Sequence, residues 1–183
     1  MTTTPQDVIT AKLERAFDTV DANGDGQLEW ADYRAIADRY TTAYALDAKD
    51  RRSRALQNVF QMFWLELLRH SGVDGDRLTK QQFVAASRLA AIDSSRINVT
   101  DAIAHAIFDV IDVNGDNEVT KDEFARALND VWKVTAPDAM DSFYKMDTDG
   151  DGAISRQEFL RAMREYFFSD DPAAPGSLFF GSV

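Results

Sequence analysis

A chain of 183 residues with 31 acidic and 20 basic side chains carries a formal net charge of −11. That excludes the basic surface a nucleic-acid binder needs to replace counterions, and it favours cations or basic surfaces as partners. The absence of cysteine excludes disulfides, thiolate metal ligands and cysteine nucleophiles, and no apolar run approaches the roughly 20 residues that span a bilayer, so no membrane insertion is expected.

The N-terminus, Met1 to Thr10, is polar with one acid and no basic residue, unlike a secretory leader, and cytoplasmic residence is the expectation. An amphipathic helix bearing Leu13, Phe17 and Val20 then runs into the loop Asp21–Asp32 (DANGDGQLEWAD), after which Tyr33 opens another helix. The run Lys49-Asp-Arg51-Arg52-Ser-Arg54 reads as a solvated helix face. Phe63 and Leu67 lead into the loop Ser71–Gln82 (SGVDGDRLTKQQ), followed by Phe83. A break falls near Ile92–Thr100, where Asp, Ser and Asn gather. Ile107, Phe108 and Ile111 precede Asp112–Glu123 (DVNGDNEVTKDE) and Phe124; after Thr135-Ala-Pro-Asp138, Phe143 and Met146 precede Asp147–Glu158 (DTDGDGAISRQE) and Phe159. The pattern predicts an all-α globule of four helix–loop–helix units in two packed pairs, residues 1–92 and 93–168. In the tail, residues 169–183, prolines are expected to turn Leu178, Phe179 and Phe180 back into an apolar groove between the halves, because they would be a liability if exposed.

Calcium is a hard cation that takes six to eight oxygens, and a twelve-residue loop supplies them from positions 1, 3, 5, 7, 9 and 12, with a sharp turn at position 6. The fourth loop meets every requirement with Asp147, Asp149, Asp151, the turn glycine Gly152, the carbonyl of Ala153, Ser155 and Glu158. The third offers Asp112, Asn114, Asp116, the carbonyl of Glu118, Thr120 and Glu123. Its turn residue is Asn117, whose short amide tolerates positive φ at a small expected penalty in affinity. The first offers Asp21, Asn23, Asp25, the carbonyl of Gln27 and Glu29 but closes with Asp32, one methylene shorter than glutamate. Monodentate closure gives a smaller, more octahedral sphere, so this site is expected to tolerate magnesium, with Glu29 coordinating directly in compensation. The second loop places Ser71, Val73 and Gly75 at positions 1, 3 and 5 and Gln82 at position 12, leaving no carboxylate to ligate. Three calcium ions are therefore expected.

Position 8 is apolar throughout, which predicts short ladders pairing Leu28 with Leu78 and Val119 with Ile154. Thr79…Gln82, Thr120…Glu123 and Ser155…Glu158 have capping-box spacing. The second loop keeps its cap and its ladder residue, as a packing partner for the first hand would. His70 and His105 lie on predicted helices without triad-like neighbours, and Trp30, Trp64 and Trp132 read as core or groove residues.

Four such loops in this length, with an unusable second loop and a long spacer between the first two, resemble the EF-hand superfamily and within it the sarcoplasmic calcium-binding proteins, including their bacterial relatives. Fourteen arginines against six lysines, with abundant alanine, fit a GC-rich bacterial genome. The resemblance implies a compact globule, the ligand positions given above, and a calcium buffer or transporter rather than an enzyme. A sensor exposing a hydrophobic surface to a target protein is the alternative. Five scattered methionines give it little support. A luciferin-binding or photoprotein-like role fits less well, with only two histidines in the chain. A monomer with no obligatory protein target is expected.

Overall fold

The structure, a computed structural model, describes residues 5–92, 95–135 and 139–180. In order these form α1 (Pro5–Val20), β1 (Gln27–Leu28), α2 (Trp30–Ala43), α3 (Arg51–Ser71), β2 (Leu78–Thr79), α4 (Lys80–Ile92), α5 (Ser95–Ile111), β3 (Glu118–Thr120), α6 (Lys121–Arg126), α7 (Asp141–Met146), β4 (Ala153–Ser155) and α8 (Arg156–Phe168). A π-helical turn, Ala127–Trp132, extends α6, and a 3-10 turn, Pro175–Leu178, follows α8. Part of the expected break, residues 93–94, and most of the expected punctuation before α7, residues 136–138, lie outside the described residues.

The two ladders are antiparallel, with Leu28 opposite Leu78 and Val119 opposite Ile154, the pairing that the apolar eighth positions predict. All four side chains are fully buried. Aromatic residues then lock the hands together crosswise. Phe17, entering the first loop, meets Phe83, leaving the second, at 5.8 Å; Phe63, entering the second, meets Tyr33, leaving the first, at 5.8 Å. The other pair repeats this with Phe108 on Phe159 at 5.6 Å and Phe124 on Phe143 at 5.8 Å. Each hand thus supplies half of its partner's aromatic contact, so the second hand is needed to complete the core whatever its loop holds.

The pairs do not stand apart. Long α3 lies along α5, α1 against α8, and α2 against the π turn, so one contiguous core runs through both halves. Trp132, carried by the π turn, packs edge-on to Tyr40 at 5.6 Å, and Tyr44 Oη donates to the Glu123 carbonyl at 2.8 Å. Lys133 ends the π turn as a left-handed cap with φ of 57°, and the N–H of Val134 donates back to the Leu128 carbonyl at 2.9 Å.

The tail turns back on the globule. Phe179 and Phe180 are buried and Leu178 is half-buried. Phe179 rests on Phe159 at 5.5 Å and Phe124 at 6.5 Å, while Phe180 meets Trp132 at 4.8 Å and Tyr166 at 5.0 Å. Fully buried Lys12 from α1 donates through Nζ to the carbonyls of Glu165 (2.8 Å) and Ser169 (2.7 Å) and to Ser177 Oγ (3.2 Å). Arg15 Nε donates to the Phe180 carbonyl at 2.6 Å. Gly176 crosses α8 so closely that a Cβ there would stand 2.0 Å from the Ala162 carbonyl oxygen.

Candidate metal centres

Each candidate ligand set is presented by a helix C-terminus, a loop with left-handed residues at positions 4 and 6, and the capped start of the next helix. The turn residues at position 6 have positive φ: 77° at Gly26, 66° at Asn117 and 94° at Gly152. Position 1 organises each loop. Asp21 accepts from the N–H groups of Gly24 and Gly26, both at 2.9 Å; Asp112 from Gly115 (2.7 Å) and Asn117 (3.0 Å); and Asp147 from Gly150 (2.8 Å) and Gly152 (3.0 Å). Position 3 accepts from the N–H of position 5, as Asn23 does from Asp25 at 2.8 Å, Asn114 from Asp116 at 3.1 Å and Asp149 from Asp151 at 3.2 Å. Position 5 accepts from the N–H of position 7, which is Gln27, Glu118 or Ala153, the residue whose carbonyl such a loop offers to the cation.

Position 12 staples the loop shut. Glu158 Oε1 accepts from the N–H and hydroxyl of Thr148 (2.9 and 2.7 Å), and Oε2 from those of Ser155 (2.9 and 2.8 Å). Burial pushes this carboxyl's pKa up, but the four hydrogen bonds outweigh burial and hold it down at about 2. Glu123 spans Val113 N–H at 3.0 Å and Thr120 N–H at 2.8 Å in the same way. Asp32, despite its shorter arm, accepts from Glu29 N–H at 2.9 Å and also from the Ala22 amide. For Asp32 burial dominates and raises the pKa.

The donor chemistry fits a hard divalent cation. Asp147, Asp149 and Asp151 bring one oxygen each to within 4.8 Å of one another. Among the described residues no lysine or arginine forms an ion pair with them, nor with Asp21, Asp25, Asp112 or Asp116. Carboxylates held this close by their own backbone, in a chain rich enough in arginine to pair them, are short of positive charge.

Two contacts reach beyond the individual loops. The Glu29 carboxylate pairs with Arg77 of the second hand at 3.0 Å. The pull of a neighbouring hand's guanidinium could not be read from a loop considered alone. Asn117, read as a tolerated substitute for glycine, also uses its side chain, accepting from Arg156 Nη2 at 3.1 Å and Nε at 3.3 Å. The second loop is held by a different set of contacts. Gly72, with φ of 64°, ends α3, Ser71 Oγ donates to the Leu68 carbonyl at 2.8 Å, and Gln82 caps Thr79 N–H at 2.9 Å. His70 Nε2 lies 3.6 Å from Glu66, and His105 Nδ1 3.5 Å from Arg156.

Comparisons with known proteins agree with this geometry. A family model described as an EF-hand domain pair matches residues 100–164, and one described as EF hand matches residues 13–37. Calerythrin of Saccharopolyspora erythraea is 29% identical over 125 residues, which are 66% of this chain and 71% of calerythrin. A Streptomyces coelicolor calcium-binding protein, described in connection with prokaryotic calcium-mediated regulation, is 27% identical, with a TM-score of 0.72 over 87% of this chain and 97% of its own. The coelenterazine-binding protein of Renilla muelleri shares the fold at a TM-score of 0.70 and 22% identity, with both chains covered in full.

Proposed function

This chain belongs to the EF-hand superfamily, and on that premise we propose that it is a calcium buffer or transporter taking up three calcium ions. Asp21, Asn23, Asp25, the Gln27 carbonyl, Glu29 and Asp32 serve the first ion, Glu29 being also paired with Arg77. Asp112, Asn114, Asp116, the Glu118 carbonyl and Glu123 serve the second; Asp147, Asp149, Asp151, the Ala153 carbonyl and Glu158 serve the third. Bound calcium supplies charge neutralisation and an oxygen-coordinating centre that tightens each loop. The first site, closed by Asp32, is the one that accepts magnesium. The protein acts in the cytoplasm as a monomer without an obligatory target. Among the described residues no helix is long and apolar enough to cross a membrane. No catalytic step is part of the reading.

The observation that carries the buffer role is the seating of Phe179 and Phe180 on Phe124, Phe159, Trp132 and Tyr166, held from α1 by Lys12 and Arg15. A sensor must offer such an apolar surface to a partner; here the chain's own tail covers it. Calorimetric titration with calcium, with and without millimolar magnesium, is expected to count three sites and to show magnesium competing at one. A hydrophobic dye added alongside is expected to stay dark, and strong calcium-dependent dye fluorescence would overturn the buffer in favour of a sensor. The regulatory context of the Streptomyces coelicolor relative favours that second reading. A luciferin-binding role gains no support from the interior, where Tyr33, Phe63, Phe83, Trp132, Met163 and Phe180 enclose a cavity of about 50 Å³, well below the roughly 300 Å³ that organic ligands occupy.

A further inference from the structure

We propose that Asn117 and Arg156 form a side-chain link that couples the third and fourth loops, making Asn117 a positioning residue rather than a tolerated stand-in for glycine. The inference rests on the calcium-binding reading of those loops. The backbone role of position 6 needs no side chain: Gly26 and Gly152 donate their N–H to the first aspartate of their loops as Asn117 does, at 2.9 and 3.0 Å against 3.0 Å. Glycine would also adopt the left-handed conformation of Asn117 more easily. What glycine cannot supply is the amide oxygen that accepts from both Nη2 and Nε of Arg156.

Arg156 is well placed to transmit strain. It is the first residue of α8, between Ser155, which caps that helix, and Glu158, which closes the fourth loop. Its guanidinium is fixed on α5 by an ion pair with Asp109 at 2.7 Å and by stacking over the Phe108 ring at 4.3 Å. When Glu158 draws in toward an ion and carries the first turn of α8 with it, that turn pulls on the bend of the third loop through Arg156. The link runs beside the Val119–Ile154 ladder as a second connection. The N-terminal pair repeats the anchor, with Lys80 paired to Asp18 and lying over the Phe17 ring, but Gly26 at position 6 offers no side-chain amide for it to hold; there the loops are joined instead by the Glu29–Arg77 ion pair. The planar guanidinium fork makes arginine the suitable partner, since lysine would keep a charge for Asp109 but lose the two-pronged grip on the amide.

The test is calcium calorimetry on the full chain with Asn117→Gly, Asn117→Asp and Arg156→Lys. Coupling predicts that Asn117→Gly, though it restores the preferred turn residue, lowers the cooperativity between the two C-terminal sites by about fivefold. Arg156→Lys should do the same, and the double variant no more than either alone. Asn117→Asp keeps an acceptor that tolerates positive φ and should preserve cooperativity. Unchanged cooperativity in Asn117→Gly, with equal or tighter binding in the third loop, would overturn the link. In the metal-free protein the Arg156 Nε–H should exchange slowly with water and lose that protection in Asn117→Gly; fast exchange in the wild type overturns the link independently of calcium. A wild type that takes up no calcium at these loops, while Arg156 Nε–H remains protected, overturns the calcium reading and not the geometry of the link.

Discussion

Asp32 and Glu158 close their loops by reaching the amides of positions 2 and 9, yet their carboxyl groups shift in opposite directions, Asp32 up and Glu158 down to about 2. The difference lies in the neighbours. Positions 2 and 9 of the fourth loop are Thr148 and Ser155, whose hydroxyls add to the amides, whereas those of the first loop are Ala22 and Glu29. Asp32 is left with burial as its dominant influence. Asp32→Glu lengthens the closing arm and is expected to raise calcium affinity at the first loop by about tenfold while weakening magnesium there. Calorimetry in the presence and absence of magnesium reads both effects. The loop-closing hydrogen bonds were legible in the sequence because each loop is a contiguous segment whose geometry is set locally. The ion pair of Glu29 was not, since its guanidinium belongs to Arg77, in another hand.

At the scale of elements, the second loop keeps what the fold needs: Leu78 in the ladder, Gln82 at the cap and Phe83 against Phe17. These were readable as repeats of the other loops. The π turn was not, because nothing in Ala127–Trp132 marks it, and it is stabilised from outside, in part by Arg39 donating to the Val131 carbonyl at 3.3 Å. The tail is the element with the sharpest steric requirement. Gly176→Ala would drive a methyl group into the backbone of α8 at Ala162. It is expected to destabilise the protein by about 1–3 kcal/mol, visible as a lower urea midpoint, and to raise dye binding as Phe179 and Phe180 loosen.

For the molecule as a whole, filling each site stabilises the folded state by about 2.7 kcal/mol when calcium stands a hundredfold above the dissociation constant. Thermal melts are therefore expected to rise stepwise with calcium and to fall on chelation. Equal melting temperatures with and without the metal would contradict the calcium reading. Lys12 adds a pH dependence at a place far from the loops. Burial lowers its pKa from 10.5 to about 8, against the opposing influence of Glu165, Asp170 and Asp171. Between those values the unfolded chain holds a proton that the folded chain has released, so stability rises with pH. This contribution is fully present above 10.5 and is lost as pH falls through about 8. Melting temperatures measured from pH 7.5 to 10 should show the wild type gaining on Lys12→Met as pH increases, and parallel curves would refute the assignment.

The sequence by itself determined the four hands, the three loops rich in oxygen donors, the apolar eighth positions that pair in the ladders and the lack of liganding carboxylates in the second loop, because each depends on spacings within about a dozen residues. The tertiary structure decided how the halves share one core, where Glu29 and Asn117 direct their side chains, and how Lys12 and Arg15 hold a tail more than 150 positions away. Those outcomes depend on which distant groups meet when the apolar surfaces are buried together, and no local pattern along the chain records such meetings.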